Sequence, residues 1–492
     1  MISEEEYASI MREGLFEKPL KLPSEFTDPK VNRISPEEAQ FIRKFRESKE
    51  ELDPGMGGIS PDKLDNLLKN SDLASVDIAI TAACNFKCVH CYKPANEWGS
   101  QFFDIPTIQN IASQSADLGV QFFVITGGEP MIYRHKGKTY FDVVDTILEE
   151  YSKRNLTFPN ILTFTDVALI SPDIANNLAQ RRIALCLKRD TLDPQVQDGI
   201  LNVDPRNATQ KMEIGYDNLI AAGYGKNSQF PASVNTVLRK GKFNTFKGSV
   251  DLHVWVRERG FEHSIVPIHY CGDAETEDQK VGLNALEVKA LYDILAQIDM
   301  IRFKDAWTVY SGFPKNKTCN RPGRGVHIRV TGEVTACSES PKIGMYIFGN
   351  IKNESLVGMI KSKKFQEFRK EFSQRKGKYI CNNDVCDLSK EHLCRGGCAT
   401  RSAYSSIDPD TGLIIPNTNP ALYSQGNEDP LCPTWMVFAQ MQGVLKKGVY
   451  EAAVDYLLSR SQRLTIFEKE KIRTKIISDF NEIRGRLEHG KQ

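Results

Sequence analysis

The sequence predicts an α/β fold on a parallel sheet, open or curled into a partial barrel. Three observations carry that prediction. Apolar runs suited to buried parallel strands recur at Val76–Ala82, Gln121–Thr126, Ile161–Thr165, Ile183–Lys188, Ala232–Leu238 and His263–His269. Helix-length periodic segments fall between and after them, near 107–118, 141–153, 172–181, 210–222, 244–258 and 284–298. The β-then-α order repeats throughout, which is the pattern of a parallel sheet with crossover helices. In such folds the chemistry collects at the carboxyl ends of the strands, and the motifs of this chain fall at or just after those ends.

Before the first strand, residues 1–75 read as an N-terminal helical or irregular extension, with short helical patterns at Pro36–Ser48 and Pro61–Asn70 and a Pro/Gly-rich stretch from Asp53 to Gly58. The βα units occupy 76–310. From 311 to 435 the chain turns irregular and cysteine-rich, too poor in periodic stretches to bury much core without bound metal. Residues 436–492 return to helical periodicity and high charge. At 492 residues several domains are expected.

Composition narrows the function. Lys+Arg 64 against Asp+Glu 63 leaves a formal charge of +1, which gives no field for steering nucleic acid or an anionic membrane. No apolar run reaches the roughly 18 residues of a membrane-spanning helix. The start, MISEEEYASI, lacks the basic and apolar regions of a secretory signal. The compartment expected is the cytoplasm. Twelve cysteines in such a protein, clustered rather than dispersed, read as metal ligands sooner than as disulfides.

The first cluster follows the first strand as Cys84-Asn85-Phe86-Lys87-Cys88-Val89-His90-Cys91. Three thiolates at these spacings can hold three corners of a [4Fe–4S] cluster and leave one iron open. The other reading is a zinc site, with His90 as the fourth ligand of a closed shell. The second strand then ends in Gly127-Gly128-Glu129-Pro130. The glycines permit close backbone approach to a ligand, and Glu129 offers an acceptor for an ammonium group.

With both motifs in place, the chain resembles the radical S-adenosylmethionine (SAM) superfamily over roughly 76–300. The resemblance implies a partial (β/α)6 TIM-like barrel in which Cys84, Cys88 and Cys91 bind a [4Fe–4S] cluster and SAM chelates its open iron. It implies that Gly127, Gly128 and Glu129 hold the SAM amino group and that His90 lies beside the adenine. Reductive cleavage of SAM would leave a 5′-deoxyadenosyl radical that abstracts a substrate hydrogen, with the electron supplied by a flavodoxin- or ferredoxin-type donor. Thr165-Asp166 at the end of the third strand and Lys188-Arg189-Asp190 at the end of the fourth stand where the family often places further SAM contacts, and Asn235 lies in the fifth. Each also reads as a cap or a salt-bridge residue.

The later cysteines run Cys319-x12-Gly332-x4-Cys337, then Cys381-x4-Cys386-x7-Cys394-x3-Cys398, then Cys432. This order resembles the SPASM extension, which carries two auxiliary [4Fe–4S] clusters, for three in all. The usual middle spacings are x2 and x5, where this chain has x4 and x7. Position by position, the resemblance gives Cys319, Cys337 and Cys398 to the inner cluster, and Cys381, Cys386, Cys394 and Cys432 to the outer one. A pair of zinc-ribbon-like sites is the other reading.

Two cysteines remain. Cys186 lies mid-strand and reads as a packed small hydrophobe. Cys271 follows the sixth strand at the active end, as a hydrogen-atom donor to a substrate radical, an eighth ligand or a packed thiol. Sulfatase-maturing relatives follow the cysteine matching Cys337 with an Asp base. Here Ser338 and Glu339 follow, which argues against that activity and leaves Glu339 as a candidate base. The family prior places a ribosomally made peptide first as substrate, altered by crosslinking, oxidation, excision or epimerisation. Residues 1–75 offer no strands for a winged-helix recognition domain, so a peptide would bind directly or through a separate recognition protein. Dehydrogenation, dehydration or epimerisation of a small sugar or aminocyclitol is the alternative, and a non-catalytic metal-binding scaffold is the third.

Overall fold

The computed structural model describes residues 72–93, 99–202, 207–226, 230–272, 285–305, 321–340, 346–373 and 449–489. To these it adds the short pieces 405–407 and 414–416 and isolated positions at 40, 66, 70, 228, 274, 283, 307 and 398. Most of the N-terminal extension and the candidate ligands Cys319, Cys381, Cys386, Cys394 and Cys432 lie outside the described residues.

Six strands stand parallel in chain order: β1 (Ser75–Thr81), β2 (Phe122–Gly127), β3 (Asn160–Thr165), β4 (Ala184–Lys188), β5 (Ala232–Leu238) and β6 (Glu262–Pro267). Helices α1 (Ile105–Asp117), α2 (Tyr140–Ser152) and α3 (Pro172–Gln180) follow the first three strands. Two, α4 (Pro194–Leu201) and α5 (Ala208–Ala221), follow β4, and α6 (Ser249–Glu258) and α7 (Ala285–Ile298) follow β5 and β6. The starts of α1, α3 and α4 are written in the sequence. Asp104, Ser171 and Asp193 each cap a first-turn N–H with a side-chain oxygen, and a proline stands at the first or second helical position.

Alternation along the strands sorts the two faces. Val76, Ile78, Ile80, Phe123, Ile125, Leu185, Leu187 and Val234 share one core with α1, α2, α3, α5 and α6, through Ile111, Val144, Leu178, Leu219 and Trp255. The intervening residues Phe122, Val124, Leu162 and Cys186 form a separate small cluster. The helices therefore cover one face only, as right-handed crossovers between strands added in one direction require. The other face is the interior of a curled sheet.

Three further strands extend the free edge of β1. β7 (Gly325–Ile328) pairs parallel with β1, and β8 (Glu333–Thr335) and β9 (Ile347–Asn350) follow antiparallel, giving the order β9-β8-β7-β1-β2-β3-β4-β5-β6. Helices α8 (Leu356–Lys361) and α9 (Lys363–Ser373) add Met359, Ile360, Phe365 and Phe368 to the same core. The C-terminal helices α10 (Val449–Arg460) and α11 (Ile466–His489) build a second core against α7. Two contacts show the curl. His269, just past β6, pairs with Glu339, just past β8, and Gly272 lies against the backbone of Cys91 and Tyr92 after β1. Strands from opposite ends of the sheet order thus meet across a seam. Among the described residues no helix is long and apolar enough to cross a membrane.

Candidate metal and cofactor site

The loop bearing Cys84, Cys88 and Cys91 is fixed along its length. At its start, Ala82 N–H donates to Gln101 O (2.7 Å) and the buried Lys93 ammonium donates to Ala82 O (2.6 Å). At its middle, Lys87 and Val89 N–H donate to the Leu201 and Ile200 carbonyls, both at 3.1 Å, at the end of α4. Phe86 is buried with Leu201, Ala208 and Met212, and Cys84 and Cys88 pack beside that cluster. An aromatic between the cysteines thus anchors the loop while leaving the thiols partly accessible.

Gly127 and Gly128 do their work against this loop's root. Gly128 N–H donates to Thr81 O (2.7 Å) and Glu129 N–H to Ala83 O (2.8 Å). Gly127 has φ +141°, and a Cβ there would lie 2.3 Å from Thr81 O; at Gly128 it would lie 2.0 Å from Ala83 O. The close approach that both glycines allow is to the backbone launching the cysteines. Gly128→Ala must break these two hydrogen bonds, each worth about 1 kcal/mol. A loss of about 2–3 kcal/mol is expected on that basis, read as a lower denaturation midpoint at unchanged slope.

Glu129 is buried, and its carboxylate accepts from Met131 N–H (3.0 Å), Thr165 Oγ1 (3.0 Å) and Asp166 N–H (2.8 Å). It therefore ties the end of β2 to the end of β3, and the Thr165 hydroxyl is spent on that tie. Asp166 lies beside it. Its Oδ1 accepts from Ala168 N–H (3.0 Å), and the Asn85 and Glu129 side chains face the same carboxyl. Burial, then the neighbouring Asp166 carboxyl, holds Glu129 well above the usual carboxylate range. Burial also pushes Asp166 up to about 6. Burial likewise raises the Cys84 thiol to about 12, and Cys88 well above its ordinary value with Cys91 and Cys84 adding to the effect. The charged neighbours that most raise these groups are thiols and carboxyls, so the pocket gathers acidic groups.

His90 stands with Nε2 3.7 Å from Asp190 Oδ2. Burial lowers its pKa to about 4, Asp190 opposes that, and Arg239 and Lys188 reinforce it, so the ring is neutral at pH 7. Lys188, Asn235 and Ser264 form a row across β4, β5 and β6 on the interior face. Lys188 Nζ donates to Asn235 Oδ1 (2.5 Å), and Asn235 Nδ2 donates to Ser264 Oγ (3.4 Å). Cys186 is fully buried in the interior apolar cluster. Cys271 is buried, one residue before the glycine that touches Cys91. Cys337 sits in a tight turn in which its N–H donates to Ser340 Oγ (2.8 Å). Glu339, two residues on, is partly exposed and faces His269 Nδ1. Cys398 is buried. Among the described residues no three His, Cys, Asp or Glu converge as a single metal ion requires.

Sequence reasoning brought Cys84, Cys88, Cys91, Gly127, Gly128, Glu129 and Thr165 to one place. Asp166 and Asp190 are legible as the strand-end neighbours of Thr165 and Lys188, whereas Arg239 near His90 carries no such signal. Sequence reasoning also passed over His269 and Gly272, whose signal is only a glycine after a strand-end cysteine.

The geometry agrees with the relatives. A family model for the radical SAM superfamily matches residues 78–207, and one for the SPASM iron–sulfur cluster-binding domain matches 319–387. GTP 3′,8-cyclase of Photorhabdus laumondii is 28% identical over 200 residues, 40% of this chain and 55% of that protein. The same enzyme of Vibrio vulnificus strain YJ016 is 23% identical over 216 residues, 43% of this chain and 59% of that protein. The chain thus spans somewhat over half the length of these curated relatives. The solved structure of hexahistidine-tagged anSMEcpe with bound AdoMet shares the fold at TM-score 0.52 and 14% identity, over 81% of this chain and 97% of that one. Native anSMEcpe with bound AdoMet and Cp18Cys peptide matches at TM-score 0.50 and 14% identity, over 79% of this chain and 99% of that one. The matches thus give residues 78–207 a radical SAM superfamily domain and residues 319–387 a SPASM iron–sulfur cluster-binding domain, on a mostly parallel sheet whose strand ends carry the two motifs.

Proposed function

We propose that this protein binds a [4Fe–4S] cluster through Cys84, Cys88 and Cys91, binds SAM beside it, and modifies a ribosomally made peptide by hydrogen-atom abstraction. The observation that carries the site is the Asp166 carboxyl, buried against Glu129, next to thiols whose ionisation it opposes. Two buried carboxyls and three thiols call for cations. Iron answers the thiols, and the ammonium and sulfonium of SAM answer the carboxyls. When bound, cluster and SAM together supply a 5′-deoxyadenosyl radical that takes hydrogen from the substrate.

The chain's own residues supply placement. Glu129 orients Asp166 through its backbone N–H and holds the end of β3 through Thr165. Neutral His90 and the Lys188–Asn235 row line the ends of β4 and β5, where the adenosine and carboxylate of SAM would lie. Phe122, Val124, Leu162 and Cys186 fill the interior face below and keep water from it. Cys337 and Cys398, with the five cysteines outside the described residues, would hold two auxiliary clusters, and a flavodoxin- or ferredoxin-type protein would supply electrons. Glu339 is the candidate proton acceptor and Cys271 the candidate hydrogen-atom donor.

The peptide reading is supported by the fold shared with native anSMEcpe, whose structure holds AdoMet and the Cp18Cys peptide. The cyclase relatives support a small-molecule substrate as the second reading. Turnover of SAM by the reconstituted protein, measured with peptide, nucleotide and aminocyclitol panels, separates them. Stimulation of 5′-deoxyadenosine release by peptides alone is expected, and stimulation by nucleotides or aminocyclitols alone would replace the peptide reading.

A further inference from the structure

Resting on the reading of Cys84, Cys88 and Cys91 as cluster ligands, we propose that His269–Gly272 is a clasp across the barrel seam. Gly272 is the positioning residue for the cysteine loop, and the His269–Glu339 pair anchors the clasp on the far side.

The segment is rigid at its own end. Ile268 N–H donates to Leu238 O (2.9 Å), Cys271 N–H turns back to His269 O (2.9 Å), and Tyr270 and Cys271 are buried. Its tip bears on the cysteine loop. Gly272 has φ +64°, and a Cβ there would lie 2.3 Å from the Tyr92 carbonyl carbon and oxygen and 2.6 Å from Cys91 O. These are backbone atoms, which cannot rotate out of the way. The loop has no room to retreat. Tyr92 OH is bound to Thr126 Oγ1 (3.0 Å), and Lys93 is bound to Ala82 O. Anything larger than glycine at 272 therefore displaces Cys91 itself. Three residues before the tip, His269 faces Glu339, which lies two residues after Cys337. One four-residue segment thus touches the loop of the SAM-site cysteines and the loop that carries Cys337, and it fixes one against the other.

The test compares Gly272→Ala with Gly260→Ala in the reconstituted full-length protein. Gly260 has the same kind of constraint, with φ +81° and a Cβ that would lie 2.1 Å from Lys226 N, but it sits in the turn before β6. The measurements are iron content, SAM affinity by equilibrium dialysis, the rate of 5′-deoxyadenosine release, and the EPR spectrum of the reduced protein with and without SAM. For Gly272→Ala, SAM affinity is expected to fall, the rate of 5′-deoxyadenosine release to fall roughly 10²-fold, the effect of about 1 Å of misplacement, and the spectral change on adding SAM to alter. Gly260→Ala should keep all three at wild-type values. A Gly272→Ala protein that matches Gly260→Ala in affinity and spectrum overturns the clasp. If Gly272→Ala does not fold, His269→Ala and Glu339→Gln decide. Weakened SAM binding with an altered spectrum supports the clasp, and unchanged binding and spectrum overturn it. Wild-type protein that takes up no iron or binds no SAM would instead remove the cluster reading on which the clasp rests.

Discussion

Replacing Cys88 with alanine is expected to remove about four irons per chain and abolish 5′-deoxyadenosine formation, with the fold retained. The Cys88 thiol is raised well above its ordinary value, first by burial and then by the facing Cys91 and Cys84. A thiol so placed becomes a thiolate only when a cation arrives, so its ionisation and metal uptake are one event. The alanine variant keeps the backbone tethers of the loop, which run through Lys87, Val89 and Phe86 rather than through sulfur. Cys186→Ala is the matched control. That thiol packs among Phe122, Val124 and Leu162, so its loss should leave the iron count unchanged.

Asp166→Asn is expected to weaken SAM binding by about 10–100-fold while leaving iron content and stability close to wild type. The factor follows from losing one charge-assisted hydrogen bond of about 1.5–3 kcal/mol. The isosteric amide keeps an oxygen for the Ala168 N–H and stays beside the Asn85 and Glu129 side chains, so the change costs the fold little. Glu129→Ala behaves differently. It strands the Met131 N–H, the Asp166 N–H and the Thr165 hydroxyl, so it should cost about 3 kcal/mol of stability in addition to affinity. A SAM analogue lacking the amino group makes the assignment specific. Wild type should bind it as weakly as Asp166→Asn binds SAM, and the variant should not distinguish the two ligands. Equal discrimination by both proteins would place the ammonium elsewhere.

Much of this site is legible in the amino-acid sequence. The β1, β2 and β3 runs are five to seven residues of mainly apolar and β-branched character, long enough to stand out despite Asp77, and the observed strands Ser75–Thr81, Phe122–Gly127 and Asn160–Thr165 agree with them to within two residues at each end. Three thiols within eight residues need no tertiary information to be seen together. What pairs across distance is harder to read. β7, β8 and β9 are three or four residues each, too short to show alternation, and only the parallel edge of β1 gives β7 its partner. Helix α4 has a legible start at Asp193-Pro194, but its eight residues fall below the length at which periodicity stands out. The glycines of the Gly127-Gly128-Glu129 motif suggest contact with a ligand. Their tightest neighbours are the carbonyls of Thr81 and Ala83, which no reading of one segment alone reveals. The clasp is a seam contact, and so depends on the curl of the whole sheet.

An iron–sulfur cluster at the three-cysteine loop, cleaving SAM, is what the protein's chemistry depends on. Its most direct test is anaerobic reconstitution of the full chain, followed by iron and zinc analysis and incubation with SAM and a strong reductant. Iron at about 12 per chain, the content of three [4Fe–4S] clusters, with little zinc and with 5′-deoxyadenosine released, is the expected result. About four irons with the same product would keep the first cluster and remove the auxiliary pair. Two or three zincs per chain, no iron and no 5′-deoxyadenosine would contradict a cluster at this loop.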